Sequence, residues 1–343
     1  MSVWKSPLFL TGFLIIITLF FGSIIYSYYV PDKEKPVMQI RYDENNTPID
    51  SVPIAPFEEM PLGTDRFGVS MLHKVLDGAK YTLGFAFLIA FARLLIGTLL
   101  GLLFSQLPKS ILRLLNKLFE AFYYAPATII AYLILFPVLQ IFTWSLPRDE
   151  QTIFAITILV VIAVPPLMIT VASETKKFLE NEFISSVKVL GGGRFHTLFK
   201  HVLPFLRPRL GILYSQQLIS TLLLVAHLGV LKVFIGGMDI ITLEPLSNNT
   251  LPVSMINEWS SMIGAYIYEI RGNLWVIYTP LAAFAVSILA LNFMVEAMKQ
   301  QYLAQGSYTK TRRLSRRKKI QPVPAKKLTE EQFEKIMKTG TDG

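Results

Sequence analysis

The chain has 343 residues, of which 52% are hydrophobic and 17% charged, with a formal net charge of +9 and a mean hydropathy of +0.47. Soluble domains carry about 25% charged residues, so this balance describes an integral membrane protein and excludes a pair of soluble domains. Cysteine is absent, which removes both a disulfide framework and thiolate chemistry.

Crossing a bilayer takes about 20 apolar residues, and six segments reach that length: 8–30, 81–104, 118–142, 151–172, 210–235 and 274–297. The expected fold class is therefore an all-α membrane protein with six transmembrane helices. Its expected parts are an N-terminal span over 1–30, an extracellular segment over 31–79, a five-span core over 80–298 and a basic cytoplasmic tail over 299–343. The first span exceeds the roughly 7–15 apolar residues of a secretory signal, and no small-residue cleavage site follows. It ends on Tyr26, Tyr28 and Tyr29, which suit the membrane interface. The polar segment after it contains Pro36, Pro48, Pro53 and Pro56. It reads equally as an extended linker or as a docking surface.

Span two holds Arg93 midway along an apolar run. A mid-bilayer arginine costs roughly 2.5–3.5 kcal/mol on translocon scales, so it is expected to face protein or water. Two readings stand side by side: an anion contact in a solute path, or a pairing contact between helices. Gly97 and Gly101 form a GxxxG face suited to close helix packing. Pro126, Pro137, Pro165 and Pro166 are expected to bend spans three and four.

Between spans four and five, within a loop over 173–209, lies a charged stretch broken by glycine: EFISSVKVLGGGRFHTLFKHVLP, residues 182–204. It reads as a short helix from Glu182, a turn at Gly191, Gly192 and Gly193, and a second amphipathic helix closed by Leu203-Pro204. Gly191 is suited to a positive φ and to close backbone approach. Phe195, Leu198 and Phe199 are expected to pack back on the bundle, and Pro204 to stop the second helix. Charges and loose backbone groups cannot lie in lipid, so the stretch must project from the membrane.

Lysine and arginine set the orientation. Lys109, Arg113 and Lys117 follow span two, seven cations between Lys176 and Arg209 follow span four, and Arg312, Arg313, Arg316, Arg317, Lys318 and Lys319 follow span six. The segment after span five is acidic, with Asp239, Glu244, Glu258 and Glu269 against Arg271. The positive-inside rule places both termini and the 182–204 stretch in the cytoplasm of a multi-pass protein of the cell membrane. The basic tail reads as a patch for membrane lipid rather than for nucleic acid, and its end, KLTEEQFEKIMK, as one short helix.

No Gly-Lys dipeptide occurs, so the chain contains no phosphate-binding loop of the GxxxxGK[ST] kind. There is no HExxH metal site. His196 and His201 lie five apart in the basic stretch and read as surface residues. The chain is expected to be no enzyme, and energy for any pumping must come from another subunit.

The 182–204 stretch resembles the "EAA" loop of ABC importer permeases in its Glu182, small residues, Gly191 and Leu203-Pro204. Pro61-Leu62-Gly63-Thr64-Asp65-Arg66-Phe67-Gly68, then Leu72 and Gly78-Ala79, resembles the lead-in segment of the dipeptide, oligopeptide and nickel permeases, inner-membrane components with a MetI-like fold. Glu258-Trp259, Met262, Trp275, Pro280, Asn292 and Glu296 resemble their last external loop and final span. Where those permeases carry Glu/Ala-Ala-Arg this chain has Ser185-Ser186-Val187-Lys188, and Val69 and Ser70 replace their Arg and Asp.

The resemblance implies a transmembrane subunit forming half of a translocation pore for peptides or a similar small solute. It implies a second homologous permease, two ATP-binding cassette subunits and an extracellular solute-binding protein as partners. ATP and Mg would be held by the partner subunits, with no cofactor in this chain. Glu182, Ser185, Ser186, Leu190, Gly191, Gly192, Leu203 and Pro204 would carry coupling to the ATPase. The competing classes are an ATP-independent secondary transporter or channel and a non-transporting membrane scaffold or sensor on a permease fold. For the loop alone, an interfacial helix without a partner is the competing reading.

Overall fold

A computed structural model describes residues 5–30, 40–42, 48–58, 60–119, 125–141, 146–242 and 250–319. Among them, five helices are long and apolar enough to cross a membrane, with a shorter apolar helix over Ala127–Ile141. Helix α1 (Pro7–Tyr29) starts with a proline in its first turn, where the absent N–H has no intrahelical acceptor to lose. A small hairpin of β1 (Ile40–Tyr42) and β2 (Pro48–Ser51) lies between α1 and α2 in the chain. Helix α2 (Met71–Phe104) opens on Ser70, whose hydroxyl accepts from the His73 amide.

Span three differs from its expected form. Residues 109–119 make a separate amphipathic helix, α3 (Lys109–Phe119), because Arg113, Asn116 and Lys117 recur at helical spacing and cannot enter lipid. The apolar helix that follows, α4 (Ala127–Phe136), begins after Pro126 and widens into a π turn over Pro137–Ile141. Pro126 thus precedes this helix instead of bending it.

Helix α5 (Arg148–Leu179) contains Pro165 and Pro166. It leads through α6 (Glu182–Val189) to α7 (Arg194–Thr197), a π turn over Leu198–Val202, and α8 (Leu203–Val230). The path from Arg194 to Val230 is one helical rod. Pro204 therefore does not stop a helix. It stands in the first turn of α8 just after the π turn, whose wider winding accommodates a missing N–H.

Antiparallel β3 (Met238–Thr242) and β4 (Thr250–Ser254) form a second hairpin, followed by α9 (Trp259–Ala265), a 3₁₀ turn over Ile267–Arg271, and α10 (Leu274–Lys319). The two hairpins are the sheets of the described residues, and neither forms a core. Chain contacts divide the protein into Met1–Lys299 and Gln300–Gly343. The short helix expected at residues 327–338 lies outside the described residues.

Helix α2 is the axis of the larger unit, packed by α1, α5, α8 and α9. Its GxxxG face is used against α5. A Cβ on Gly97 would sit 2.9 Å from the Leu167 side chain, and one on Gly101 2.7 Å from Val171 and 2.9 Å from the Met168 carbonyl. The absent side chains allow the close contact that drives helix association where lipid offers no hydrophobic gain.

Candidate functional site

The 182–204 stretch is built on a fixed base with an uncovered tip. Leu198, Val202 and Leu206 are buried with Leu102, Leu167, Val171 and Leu213, and Leu203 packs against the same cluster. Phe178 on α5 stacks on Phe205 of α8 at 4.1 Å between ring centroids. Arg209 Nε donates to Glu174 Oε1 at 2.8 Å, tying α8 to α5 beside the loop. The partly exposed setting of this pair limits its worth to about 1 kcal/mol. Ile184 is fully buried and anchors α6.

The tip is different. Glu182 lies in the first turn of α6, where a carboxylate suits the positive end of the helix dipole. The Leu190 amide donates to the Ser186 carbonyl, and the Gly192 amide reaches back to the Val187 carbonyl at 3.0 Å. With Gly191 at φ +85° between them, this is the left-handed cap that ends many helices. The three glycines have separate reasons. Gly191 supplies the positive φ and has nothing within 4 Å of an added Cβ. At Gly192 a Cβ would stand 2.7 Å from the Val187 side chain and 2.8 Å from its carbonyl oxygen. Gly193 faces open space and caps α7, its carbonyl accepting from the Thr197 amide and hydroxyl. The close approach expected at Gly191 therefore belongs to Gly192.

Val189 and Leu190 are 88% and 87% exposed, with Phe183 and Phe195 also largely uncovered. Of the three residues expected to pack back, only Leu198 does so. Phe195 and Phe199 are exposed, because the helix turns one face to the base cluster and these two lie off that face. Ser185 and Ser186 are exposed on α6. Glu182, Ser185, Ser186, Leu190, Gly191 and Gly192 thus occupy one helix and its cap. Leu203 and Pro204 stand apart from them, on the transmembrane rod. His196 and His201 have ring centroids 5.7 Å apart, and His201 also meets Phe183 edge-on at 5.6 Å.

Arg93 has no exposed surface. Its Nε and Nη2 donate to the Leu159 carbonyl of α5 at 2.9 and 2.6 Å, and Nη1 donates to the Thr221 hydroxyl of α8 at 2.9 Å. That hydroxyl donates onward to the Gln217 carbonyl at 2.7 Å. One guanidinium therefore joins three helices through its planar fork. This is the pairing geometry, with every acceptor supplied by the chain itself.

At the opposite end of α2, sequence reasoning saw motif pieces but missed what joins them. Asp65 is buried. Its Oδ1 accepts the Phe67 and Val69 amides, and its Oδ2 accepts Lys74 Nζ at 2.5 Å and the Tyr266 hydroxyl at 2.6 Å. Burial and the Asp65 carboxylate push the Tyr266 phenol well above its ordinary range, so it stays a donor. Arg66 Nε lies 3.3 Å from Glu269, and its Nη2 donates to the Ala265 carbonyl at 2.8 Å. Glu258 is also buried. It accepts from the amides and hydroxyls of Ser260 and Ser261 and from the Thr82 hydroxyl. Trp259 Nε1 donates to the Val75 carbonyl, and Asn257 bridges to Asp77. The 61–79 and 258–275 segments thus form one polar latch, about 200 residues apart in sequence in the case of Asp65 and Tyr266. The acidic residues between spans five and six were the available signal, since a buried carboxylate demands several donors.

No family model matches the chain. It is similar to the peptide transport system permease protein SapC of Haemophilus influenzae, 26% identical over 303 residues covering 86% of this chain and 91% of that protein. The SapC protein of Escherichia coli O6:H1 is 23% identical over 243 residues, 71% of this chain and 73% of that one. A di/tripeptide transport system permease protein, DppC of Pseudomonas aeruginosa, is 24% identical over 238 residues, 69% and 70% of the two chains.

Proposed function

We propose that this chain, a transmembrane subunit of an ABC-type importer, forms half of a translocation pore for peptides and docks on ATPase subunits through α6 and its glycine cap. The peptide substrate class is taken from the relatives, whose names are those of peptide and di/tripeptide transport permeases. The observation that carries the docking site is the tip of the loop: Phe183, Val189, Leu190 and Phe195 lie uncovered on a polar, projecting element with a rigid base. Apolar side chains in that position gain free energy only when a partner covers them, at about 25 cal/mol per Å² removed from water.

In this reading, the partner's movement is received at α6 and passed to the membrane by two routes. One is the Glu174–Arg209 pair and the other the cluster of Leu198, Val202 and Leu206, both of which hold the loop to α5 and α8. Arg93 couples the same two helices to α2 in mid-membrane. A push on the loop is thereby shared by three spans. ATP and Mg belong to two cassette subunits, a second permease completes the pore, and a solute-binding protein delivers peptide at the latch end. In this reading both termini and the loop face the cytoplasm, a placement supported by the lysine and arginine after spans two, four and six.

The test is purification of the assembled complex with Val189→Asp and Leu190→Asp together. The expected result is normal insertion of the chain with loss of the cassette subunits from the eluate. Retention of the cassette subunits with undiminished peptide uptake would sink the docking role. Uptake driven by the isolated chain without ATP would instead favour the secondary-transporter class.

A further inference from the structure

Many polar side chains within the long helices direct their protons at their own backbone. Ser215 and Thr221 on α8 donate to the Gly211 and Gln217 carbonyls, Thr157 on α5 to Ile153, and Ser287 and Asn292 on α10 to Ala283 and Ile288. Gln216 and Ser220 on α8 do not. Neither side chain has a hydrogen-bond partner among the described residues, and Ser220 is exposed while Gln216 is partly so. Further along α8, His227 is exposed, with its Nδ1 3.4 Å from the Thr128 hydroxyl of α4. Residues 216, 220, 223, 227 and 230 recur at intervals of four and three, so they lie on one stripe of α8. Leu223 and Val230, which complete it, are exposed as well.

Helix α2 shows what a face turned to acyl chains looks like in this molecule. Its exposed side chains are Leu88, Phe91, Leu95, Ile96, Leu99 and Leu103, without a polar group among them. The stripe of α8 passes the same depth, because Thr221, next to Ser220, is the hydroxyl that meets Arg93 of α2. A free amide and a free hydroxyl at that depth would each lose their hydrogen bonds in lipid, at several kcal/mol. Polar groups that face out of the bundle within a membrane belong beside water.

We propose that this stripe, with Thr128, is the wall of an aqueous solute path and passes peptides by hydrogen-bonding their main chain. The inference rests on the reading of the chain as half of a peptide pore, and it names the surface that the peptide meets. Gln216 offers an amide donor and acceptor, Ser220 and Thr128 offer hydroxyls, and His227 offers an imidazole. None of these groups carries a permanent charge, and the guanidinium at this depth, Arg93, is buried and engaged with Leu159 and Thr221. Such a wall matches the N–H and C=O groups of any peptide and reads neither its termini nor the sign of its side chains. Gln216 to His227 spans about 16 Å of helix, the length of about five residues of extended peptide.

The experiment uses the assembled importer in vesicles, with a charged, water-soluble methanethiosulfonate on both faces of the membrane. Single cysteines are placed by Gln216→Cys, Ser220→Cys, Leu223→Cys and, on the lipid face of α2, Leu95→Cys. The reagent attacks only a thiolate, which forms in water. The expected result is modification of the three α8 variants at least tenfold faster than of Leu95→Cys, slowed by saturating peptide. Gln216→Leu with Ser220→Ala should retain the cassette subunits and lower the uptake of acidic, basic and neutral peptides alike, roughly tenfold, through the loss of two hydrogen bonds. Modification of the α8 variants as slow as that of Leu95→Cys, in a complex whose parent takes up peptide with ATP, would overturn the path alone and make this face a seam against the second permease or lipid. Loss confined to peptides of one charge would overturn main-chain recognition. A parent complex without ATP-driven uptake would overturn the permease reading, and the peptide path with it.

Discussion

The two ends of this molecule solve opposite problems. At the latch, polar groups are buried and every one of Asp65 and Glu258's oxygens is given donors from the same chain. At the 182–204 loop, apolar groups are exposed, with Val189 and Leu190 almost wholly in solvent. The latch is complete as folded, because a buried carboxylate without donors costs several kcal/mol. The loop tip is left uncovered as folded, and in the proposed function it is the surface that an ATPase subunit covers. Substitutions at the latch should therefore be read in stability, and substitutions at the tip in association.

The largest effect is expected at the latch. Glu258→Ala leaves the Ser260 and Ser261 amides without their acceptor and uncaps α9, at a cost of about 3 kcal/mol or more. Thermal unfolding of the purified chain should show it as a large drop in the transition temperature. A variant as stable as the parent would mean the latch is not what closes that end.

Next comes Arg93→Leu. Its acceptors are a carbonyl and a hydroxyl that keep helical partners, so no buried charge is orphaned and the loss is confined to its hydrogen bonds, about 2 kcal/mol. Unfolding temperature should fall, while uptake of neutral and carboxylate-bearing peptides should fall in step. Selective loss of the anionic peptides, with stability intact, would transfer Arg93 to the solute path.

A smaller effect separates the glycines. Gly191→Val forces a branched side chain into the left-handed region at roughly 1–2 kcal/mol. The strain falls on the loop cap, so ATPase association should weaken while global unfolding scarcely moves. Gly193→Ala meets open space at φ −65° and should be silent in both readouts. If the two variants behave alike, the cap geometry is irrelevant to docking.

Much of this contrast was legible in the sequence and part was not. Hydropathy alone locates the long spans, since length and composition decide what enters a bilayer. The positive φ at Gly191 follows from a glycine placed just beyond a short helix. The third span misled because its apolar run begins inside α3, where Lys109, Arg113 and Lys117 read as a basic linker, whereas Arg113 and Lys117 belong to the polar face of a separate amphipathic helix. Pro204 misled because a π turn can absorb a proline that an α-helix cannot. Burial of Leu198 but not of Phe195 or Phe199 depends on which face of the rod meets Leu102 and Val171, and a single amphipathic segment does not specify that. The pairing of Arg93 with Leu159 and Thr221, and of Asp65 with Tyr266, depends on tertiary placement that local periodicity does not encode.

The most direct test of the comparison uses the absence of native cysteine. A Leu190→Cys variant carries a single thiol at the tip, open to a membrane-impermeant maleimide added from the cytoplasmic side of inverted vesicles. The account predicts rapid labelling of the chain alone and strong protection once the cassette subunits are assembled, while a cysteine at Ser173, away from the tip, is not protected by them. Equal labelling of Leu190→Cys with and without the cassette subunits would contradict the claim that the exposed tip is the docking surface.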